Sequence, residues 1–396
     1  MRVALDATPL LGSRTGVGRY VAGLAGALAQ LTGPEPEELA LVPFSWRGTR
    51  DLPAVAPHGP RIRFGRRRAP ARLLQAAWAR LPWPPVEWLA GPVEVFHATN
   101  FIAPPARRAA SVLTVHDLTY LRFPQMVRDA SARYRRLVPR ALDRGAVVCT
   151  PTAAVAAEVA AEYGLPPERL VVTPLGVDPH WRQATPPDPA WLAARDLPDR
   201  YLLFVGSREP RKNLQTLLAA YRELLDSRVV GAGDGPAVAK GAGPATAPAG
   251  PSVAPLVLVG PPGWGEALDT PGLPQDAVRT PGYLPEPDLA RVVAGAAALV
   301  LPSWYEGFGL PALEALACGT PVVAADLPAL AEVLGDQAEL VAPGDPAALA
   351  AALARVLHDP GGEPARAARR ARAAGFTWET CAQATLSAYR LALESR

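Results

Sequence analysis

At 396 residues, 49% hydrophobic and 19% charged, the chain is long enough for two domains with separate cores and too apolar for a disordered protein, although a single α/β barrel is also compatible with its length. A formal charge of +3 is too small by itself to mark a nucleic-acid binder, and the apolar run Val292–Leu301 stops at Pro302, well short of a membrane span. The scattered Cys149, Cys318 and Cys381 lack metal-site spacing and read as buried, reduced thiols, which excludes a disulfide scaffold or a zinc site.

The chain begins with a strand-like run, Val3–Ala7, carrying Asp6; this reads as a strand and not a leader peptide, which predicts a cytoplasmic protein. A loop and helix start follow through Tyr20, where Gly16 and Gly18 either let backbone approach a ligand or simply make a flexible turn. This is no dinucleotide fingerprint, because Val21 stands where the third glycine would fall. After the strand Leu39–Pro43, residues Arg61, Arg63, Arg66, Arg67, Arg68 and Arg72 precede Leu73, Leu74, Ala77, Trp78, Leu81 and Trp83. Cations beside tryptophan and leucine suit contact with an anionic membrane and a lipid-linked acceptor; a solvated arginine-rich loop is the competing reading. The strands Val93–His97 and Ser111–Val115 lead into His97-Ala-Thr-Asn100 and His116-Asp117. Ligands of open α/β sheets bind at such C-terminal strand ends, although a lone histidine there is more often a packing residue. Val147–Thr150 and Leu170–Thr173 complete the strands of the first half.

Gln183–Arg200 is proline-rich without a strand pattern and reads as a linker. The second half opens with the strand Tyr201–Val205 and Gly206-Ser-Arg-Glu-Pro-Arg-Lys-Asn213, ahead of a helix over Leu214–Leu225. Arg211 and Lys212 at a helix start can neutralise a diphosphate, or merely cap the helix. Lys212 draws attention because Lys240 is the only other lysine in the chain. Residues 229–255 are rich in Gly, Ala and Pro and read as a disordered insertion. Further strands are expected at Leu256–Val259, Val278–Thr280, Ala298–Leu301, Pro321–Ala324 and Ala338–Val341, with a last helix over Trp378–Glu394. Alternation of strands and helices throughout predicts two α/β domains, each a doubly wound parallel sheet.

Beyond Ala298–Leu301, Glu306-Gly-Phe-Gly-Leu-Pro-Ala-Leu-Glu314 puts one carboxylate in a loop and a second one turn into a helix that starts at Pro311 and ends before Gly319. Backbone N–H groups of Phe308, Gly309 and Leu310 would meet the positive helix end, which suits phosphate. Carboxylates on either side would accept hydrogen bonds from hydroxyls, and ribose, diphosphate and hexose follow that order in a nucleotide-sugar. No D-x-D motif for a metal-diphosphate is present.

With these motifs the chain resembles the retaining, family 4 (group 1, mannosyltransferase-like) glycosyltransferases of GT-B fold, in which two Rossmann-like domains face a cleft. The resemblance implies an acceptor-side domain at 1–182, a linker at 183–200, a donor domain at 201–377 and a helix at 378–396 crossing back to the first domain. It implies that Glu306 and His116 orient the donor sugar, Arg211 and Lys212 stabilise the departing diphosphate, and Glu314 holds the ribose. Gly16, Gly18, Gly206, Arg208, Tyr283, Gly307, Phe308, Gly309 and Leu310 would complete donor binding, with His97–Asn100 on the acceptor side. Many relatives carry an arginine where this chain has Ser207. The implied reaction is metal-independent hexosyl transfer from a nucleoside diphosphate sugar to a saccharide or lipid-linked acceptor in polysaccharide biosynthesis, with neither cofactor nor nucleic-acid partner. A sugar-nucleotide epimerase or phosphorylase, or a non-catalytic sugar-nucleotide-binding subunit, could use the same architecture.

Overall fold

The computed structural model describes the whole chain except residues 13–15, 34, 47, 66, 128, 232–252, 265–269 and 271. Contacts divide it into two compact units: Met1–Asp178 with Glu306–Leu310 and Gly375–Arg396, and Pro179–Tyr305 with Pro311–Ala374.

In the first unit, strands β1 (Arg2–Asp6), β2 (Glu38–Val42), β3 (Ile62–Phe64), β4 (Val95–Ala98), β5 (Ala110–Thr114), β6 (Val147–Thr150) and β7 (Leu170–Val172) form one sheet in the order β3-β2-β1-β4-β5-β6-β7. All of its pairings are parallel. The central strands are apolar runs because helices cover both faces of such a sheet. The strand order reverses between β1 and β4, which opens a crevice at their carboxyl ends.

The second unit repeats this plan. Strands β8 (Leu202–Val205), β9 (Leu256–Val259), β10 (Val278–Gly282), β11 (Ala298–Leu301), β12 (Val322–Ala325) and β13 (Glu339–Val341) are ordered β10-β9-β8-β11-β12-β13, again with parallel pairings. Here the order reverses between β8 and β11.

Three differences from the sequence reading have physical causes. Residues 183–200, expected to be a linker, belong to the second unit: Leu192 and Leu197 are buried, and Asp188 caps the short helix Pro189–Ala193 through the N–H of Trp191. The arginine-rich stretch contains a strand, β3, whose Arg63 ion-pairs with Glu38 and donates to the Ala90 carbonyl. Of the expected insertion at 229–255, residues 232–252 lie outside the described residues. Its first residues end the helix Leu214–Gly231, and Ala254 is buried ahead of β9.

The helix Trp378–Glu394 packs in the first unit against the helix Gly16–Gln30 and strands β5 and β6. His97, expected at the acceptor-side loop, is instead a fully buried residue of β4. Its Nδ1 meets the Tyr389 hydroxyl at 2.8 Å, and its Nε2 meets the Thr114 hydroxyl at 2.7 Å, which in turn contacts the Tyr20 hydroxyl. Burial, and secondarily His116, pushes the His97 pKa down to about 3, so the ring is neutral, donating through one nitrogen and accepting through the other.

An unfolded histidine binds a proton near pH 6.5 while His97 in the folded chain refuses it, so this residue's stabilisation is complete above that pH and is lost towards pH 3. Asp6, pushed up to about 6 by burial, acts oppositely, costing stability as pH rises from its ordinary carboxylate range through 6. Denaturant titrations between pH 4 and pH 7 should therefore show a shallower acid loss for His97→Gln than for the wild type. Equal slopes would remove His97 from the account. Tyr389→Phe, which leaves a buried imidazole nitrogen unsatisfied, should cost about 1–3 kcal/mol.

The cysteines are free and buried, and burial raises the thiol pKa of Cys318 and Cys381 to about 12.

Candidate active site

Among the described residues, the only buried Asp, Glu, Lys or Arg side chains are Asp6, Lys212, Glu306 and Glu314. Ions are buried only at a cost that fixed partners or a ligand must offset. Three of these four lie on the chain that follows β8 and β11, the two strands flanking the reversal of the second sheet.

After β8, Gly206 enters a loop that closes in the short 3-10 turn Pro210–Lys212, so Arg211 and Lys212 precede the helix and are not its first residues. Asn213 makes the break in left-handed conformation (φ 55°), held by its amide donating to the Pro302 carbonyl at 3.0 Å and its side-chain oxygen accepting from Thr216. The Arg211 guanidinium donates to the Tyr305 carbonyl at 3.1 Å, and the Trp304 N–H donates back to the Arg211 carbonyl at 2.8 Å. The loops after β8 and β11 are thus tied together beside Lys212.

Sequence reasoning missed two contributors. Glu209 accepts from the Ser207 hydroxyl and lies 3.4 Å from the Arg211 guanidinium, so Ser207 orients the carboxylate that orients the arginine. Gly260 and Gly263 form the second wall: a Cβ on either would fall 2.1 Å from the Gly206 carbonyl oxygen or 2.4 Å from that of Arg208. Only glycine permits so close a backbone approach, and the Gly260-Pro-Pro-Gly263 spacing was the available signal. The half-buried Arg208 donates its N–H to the Pro261 carbonyl. Tyr283 follows Gly282 at the end of the edge strand β10 and is 53% exposed.

The helix that carries Glu314 spans Leu310–Cys318, starting one residue before the expected Pro311. Gly319 ends it with φ 80°.

Glu306 to Leu310 pack within the first unit, with Glu306, Phe308 and Leu310 buried and Gly309 at φ 84°. The Gly307 carbonyl accepts from the Thr152 hydroxyl at 3.1 Å, and the Phe308 ring meets Phe376 edge-on at 5.9 Å. His116 follows β5, and its Nε2–H donates to the Thr99 carbonyl at 2.8 Å. Because a carbonyl only accepts, this fixes the tautomer and leaves Nδ1 as an acceptor. Burial lowers the His116 pKa, against the opposing pull of that hydrogen bond and of Asp117. Tyr20 and Phe101 pack edge-on against its ring at 5.0 and 5.8 Å. Gly18 is buried in the first turn of the helix that Gly16 begins, so both sit in helix and not in the expected loop.

A Cβ on Gly307 would fall 1.8 Å from the His116 carbonyl oxygen, a contact between backbone atoms that no rotamer relieves. Gly307→Ala should therefore displace either the Glu306 loop or the His116 turn. We expect at least a tenfold fall in kcat/KM, with a stability loss of about 1–3 kcal/mol. An active, fully stable variant would show that the contact is not required.

Two parallel-sheet units of Rossmann type, with polar loops gathered at the strand reversals, define the GT-B class of glycosyltransferases. Residues 14–181 match the family described as Glycosyltransferase Family 4, and residues 199–359 match Glycosyl transferases group 1. The O-antigen chain mannosyltransferase B of Escherichia coli is 30% identical over 99% of this chain and 100% of its own length. The MMP alpha-(1->4)-mannosyltransferase of Mycolicibacterium hassiacum is 32% identical over 67% of this chain and 57% of its own. Among solved structures, sucrose-phosphate synthase from Thermosynechococcus elongatus shares the fold with a TM-score of 0.68 at 21% identity, covering 98% of both chains. Anabaena Alr3699/HepE, solved with UDP-glucose, gives a TM-score of 0.65 at 19% identity over 97% of this chain and 98% of its own. The chain belongs to the family 4, group 1 glycosyltransferases of GT-B fold.

Proposed function

We propose that the enzyme moves a hexose, mannose on the precedent of two relatives named as mannosyltransferases, from a nucleoside diphosphate sugar to a saccharide or lipid-linked acceptor with retained anomeric configuration. The observation that carries this reading is the burial of Lys212, Glu306 and Glu314 on the chain following two adjacent strands. One buried cation and two buried carboxylates match a ligand with diphosphate charge and hydroxyls at both ends.

In this reading Arg211 and Lys212 neutralise the departing diphosphate, Glu314 accepts from the ribose hydroxyls, and Glu306 accepts from the hexose. Neutral His116 presents Nδ1 to a sugar hydroxyl. Gly206, Arg208, Gly307, Phe308, Gly309 and Leu310 supply backbone and shape to the phosphates, with Gly16 and Gly18 lending the N-terminus of their helix. Tyr283 lies at the nucleobase. The acceptor oxygen bonds to the anomeric carbon as the bond to the β-phosphate oxygen breaks, and that phosphate takes the acceptor proton. Charge on the leaving group is met by fixed cations, so the transfer needs neither metal nor cofactor.

We assign the protein to polysaccharide biosynthesis in the cytoplasm. The lipid-linked acceptor and a place at the inner face of the membrane are favoured by an exposed basic and aromatic face within residues 46–88. No helix among the described residues is long and apolar enough to cross a membrane. A donor screen that follows nucleoside diphosphate release, with and without a chelator, tests the assignment. Release from one donor, dependent on acceptor and indifferent to chelator, is expected; a strict divalent-metal requirement would contradict it.

A further inference from the structure

Seven large apolar side chains are exposed among the described residues, and five of them, Trp46, Leu73, Leu81, Trp83 and Trp88, fall within residues 46–88. That segment holds nine arginines against two carboxylates, a net charge of +7 in a chain whose total is +3. Not every residue of the arginine-rich stretch is available. Trp78 and Leu74 are buried in the core, with Trp78 donating to the Pro84 carbonyl, and Arg61 is spent on the carbonyls of Leu31 and Gly33. Arg66 lies outside the described residues. Arg67, Arg68 and Arg72 are exposed. Arg67 lies over the Trp88 ring at 5.9 Å from its centroid, and Arg68 over Trp46 at 6.0 Å. Trp46 and Trp88 thereby join a surface that the sequence reading confined to Arg61–Trp83.

At the carboxyl end of β3, lined in part by Arg67, is a cavity of about 690 Å³. Arg67 supplies its charge, Arg63 lines it while paired with Glu38, Thr49 adds a hydroxyl, and Pro53, Phe64 and Leu89 form its apolar wall. The Glu87 carboxylate is held on the N–H groups of Arg107, Arg108 and Ala109.

We propose that this cavity is a head-group site for the phosphate of an anionic membrane lipid, occupied when Trp46, Trp83 and Trp88 rest at the bilayer interface. The inference rests on the reading of the 46–88 stretch as facing an anionic membrane, and adds to it a defined site for the lipid phosphate. Tryptophan rings favour the bilayer interface whatever its charge, whereas arginine gains only from anionic lipid, so the two residue types separate in the response.

Flotation of the full-length protein with phosphatidylcholine vesicles and with mixed phosphatidylglycerol–phosphatidylcholine vesicles tests this. The wild type should partition more strongly onto the anionic vesicles. Arg67→Ser should lose roughly fivefold there, the value for one basic group at an anionic surface, and almost nothing on neutral vesicles. Trp88→Ser should lose binding on both, and both variants should keep wild-type turnover of a water-soluble acceptor. Trp-dependent binding that does not distinguish the two vesicle types would overturn the head-group site while leaving membrane docking intact. Binding to neither would overturn both. Displacement from anionic vesicles by inorganic phosphate, but not by chloride of matched ionic strength, would assign the cavity to a free phosphate and overturn the lipid.

Discussion

Glu306→Gln should abolish most sugar transfer while leaving the protein folded. The side chain is 7% exposed, and the replacement preserves its shape and one acceptor oxygen while removing the charge. A charge-assisted hydrogen bond to a donor hydroxyl contributes about 1.5–3 kcal/mol, so kcat/KM should fall by at least roughly tenfold to a hundredfold. Glu306→Ala should be at least as impaired. The informative comparison is with stability: the replacement keeps the side-chain volume in its buried loop, so the unfolding midpoint of Glu306→Gln should stay close to that of the wild type. A destabilised variant with near-normal turnover would reverse the assignment and make Glu306 a structural residue of its loop.

Lys212→Met has the second largest expected effect, and it reports on a different part of the donor. The aliphatic stem is retained in a site 7% exposed, and only the ammonium group is lost. Affinity for the nucleoside diphosphate should drop by roughly tenfold to a hundredfold, the range for one charge-assisted hydrogen bond. Affinity for the bare nucleoside should hardly change. Calorimetric titration with the two ligands measures this difference, and equal losses would show that Lys212 supports the fold of its turn and not the phosphate.

Much of the sheet scaffold was legible because buried parallel strands are short apolar runs, and Val147–Thr150, Leu256–Val259 and Ala298–Leu301 were bounded by recognisable turns. β3 was not legible. Its Ile62-Arg-Phe64 has no apolar run, and Arg63, which donates to the Ala90 carbonyl, sits among arginines whose charge made the segment look like a loop. Trp78 was misplaced for a related reason: adjacency to arginines suggested exposure, whereas the helix Ala71–Trp78 turns it and Leu74 inward and leaves Arg72 and Leu73 outside.

At the site, Glu306, Glu314 and Lys212 stood out by spacing and by rarity. Glu209, Gly260 and Gly263 did not, because their roles come from loops brought together by the β9-β8-β11 strand order, which a linear pattern does not display. His97 shows the converse. A histidine near a strand end looked available to an acceptor, yet Thr114 and Tyr389 occupy both its nitrogens.

The most direct measurement follows one reaction by proton NMR, with the donor selected in the screen and a matched saccharide acceptor. The anomeric proton of the product and the released nucleoside diphosphate are recorded together. Retaining transfer predicts one nucleoside diphosphate released for each new glycosidic bond, with the product's anomeric configuration matching that of the donor sugar. An inverted product, or a donor altered without acceptor-dependent release of nucleoside diphosphate, would contradict it.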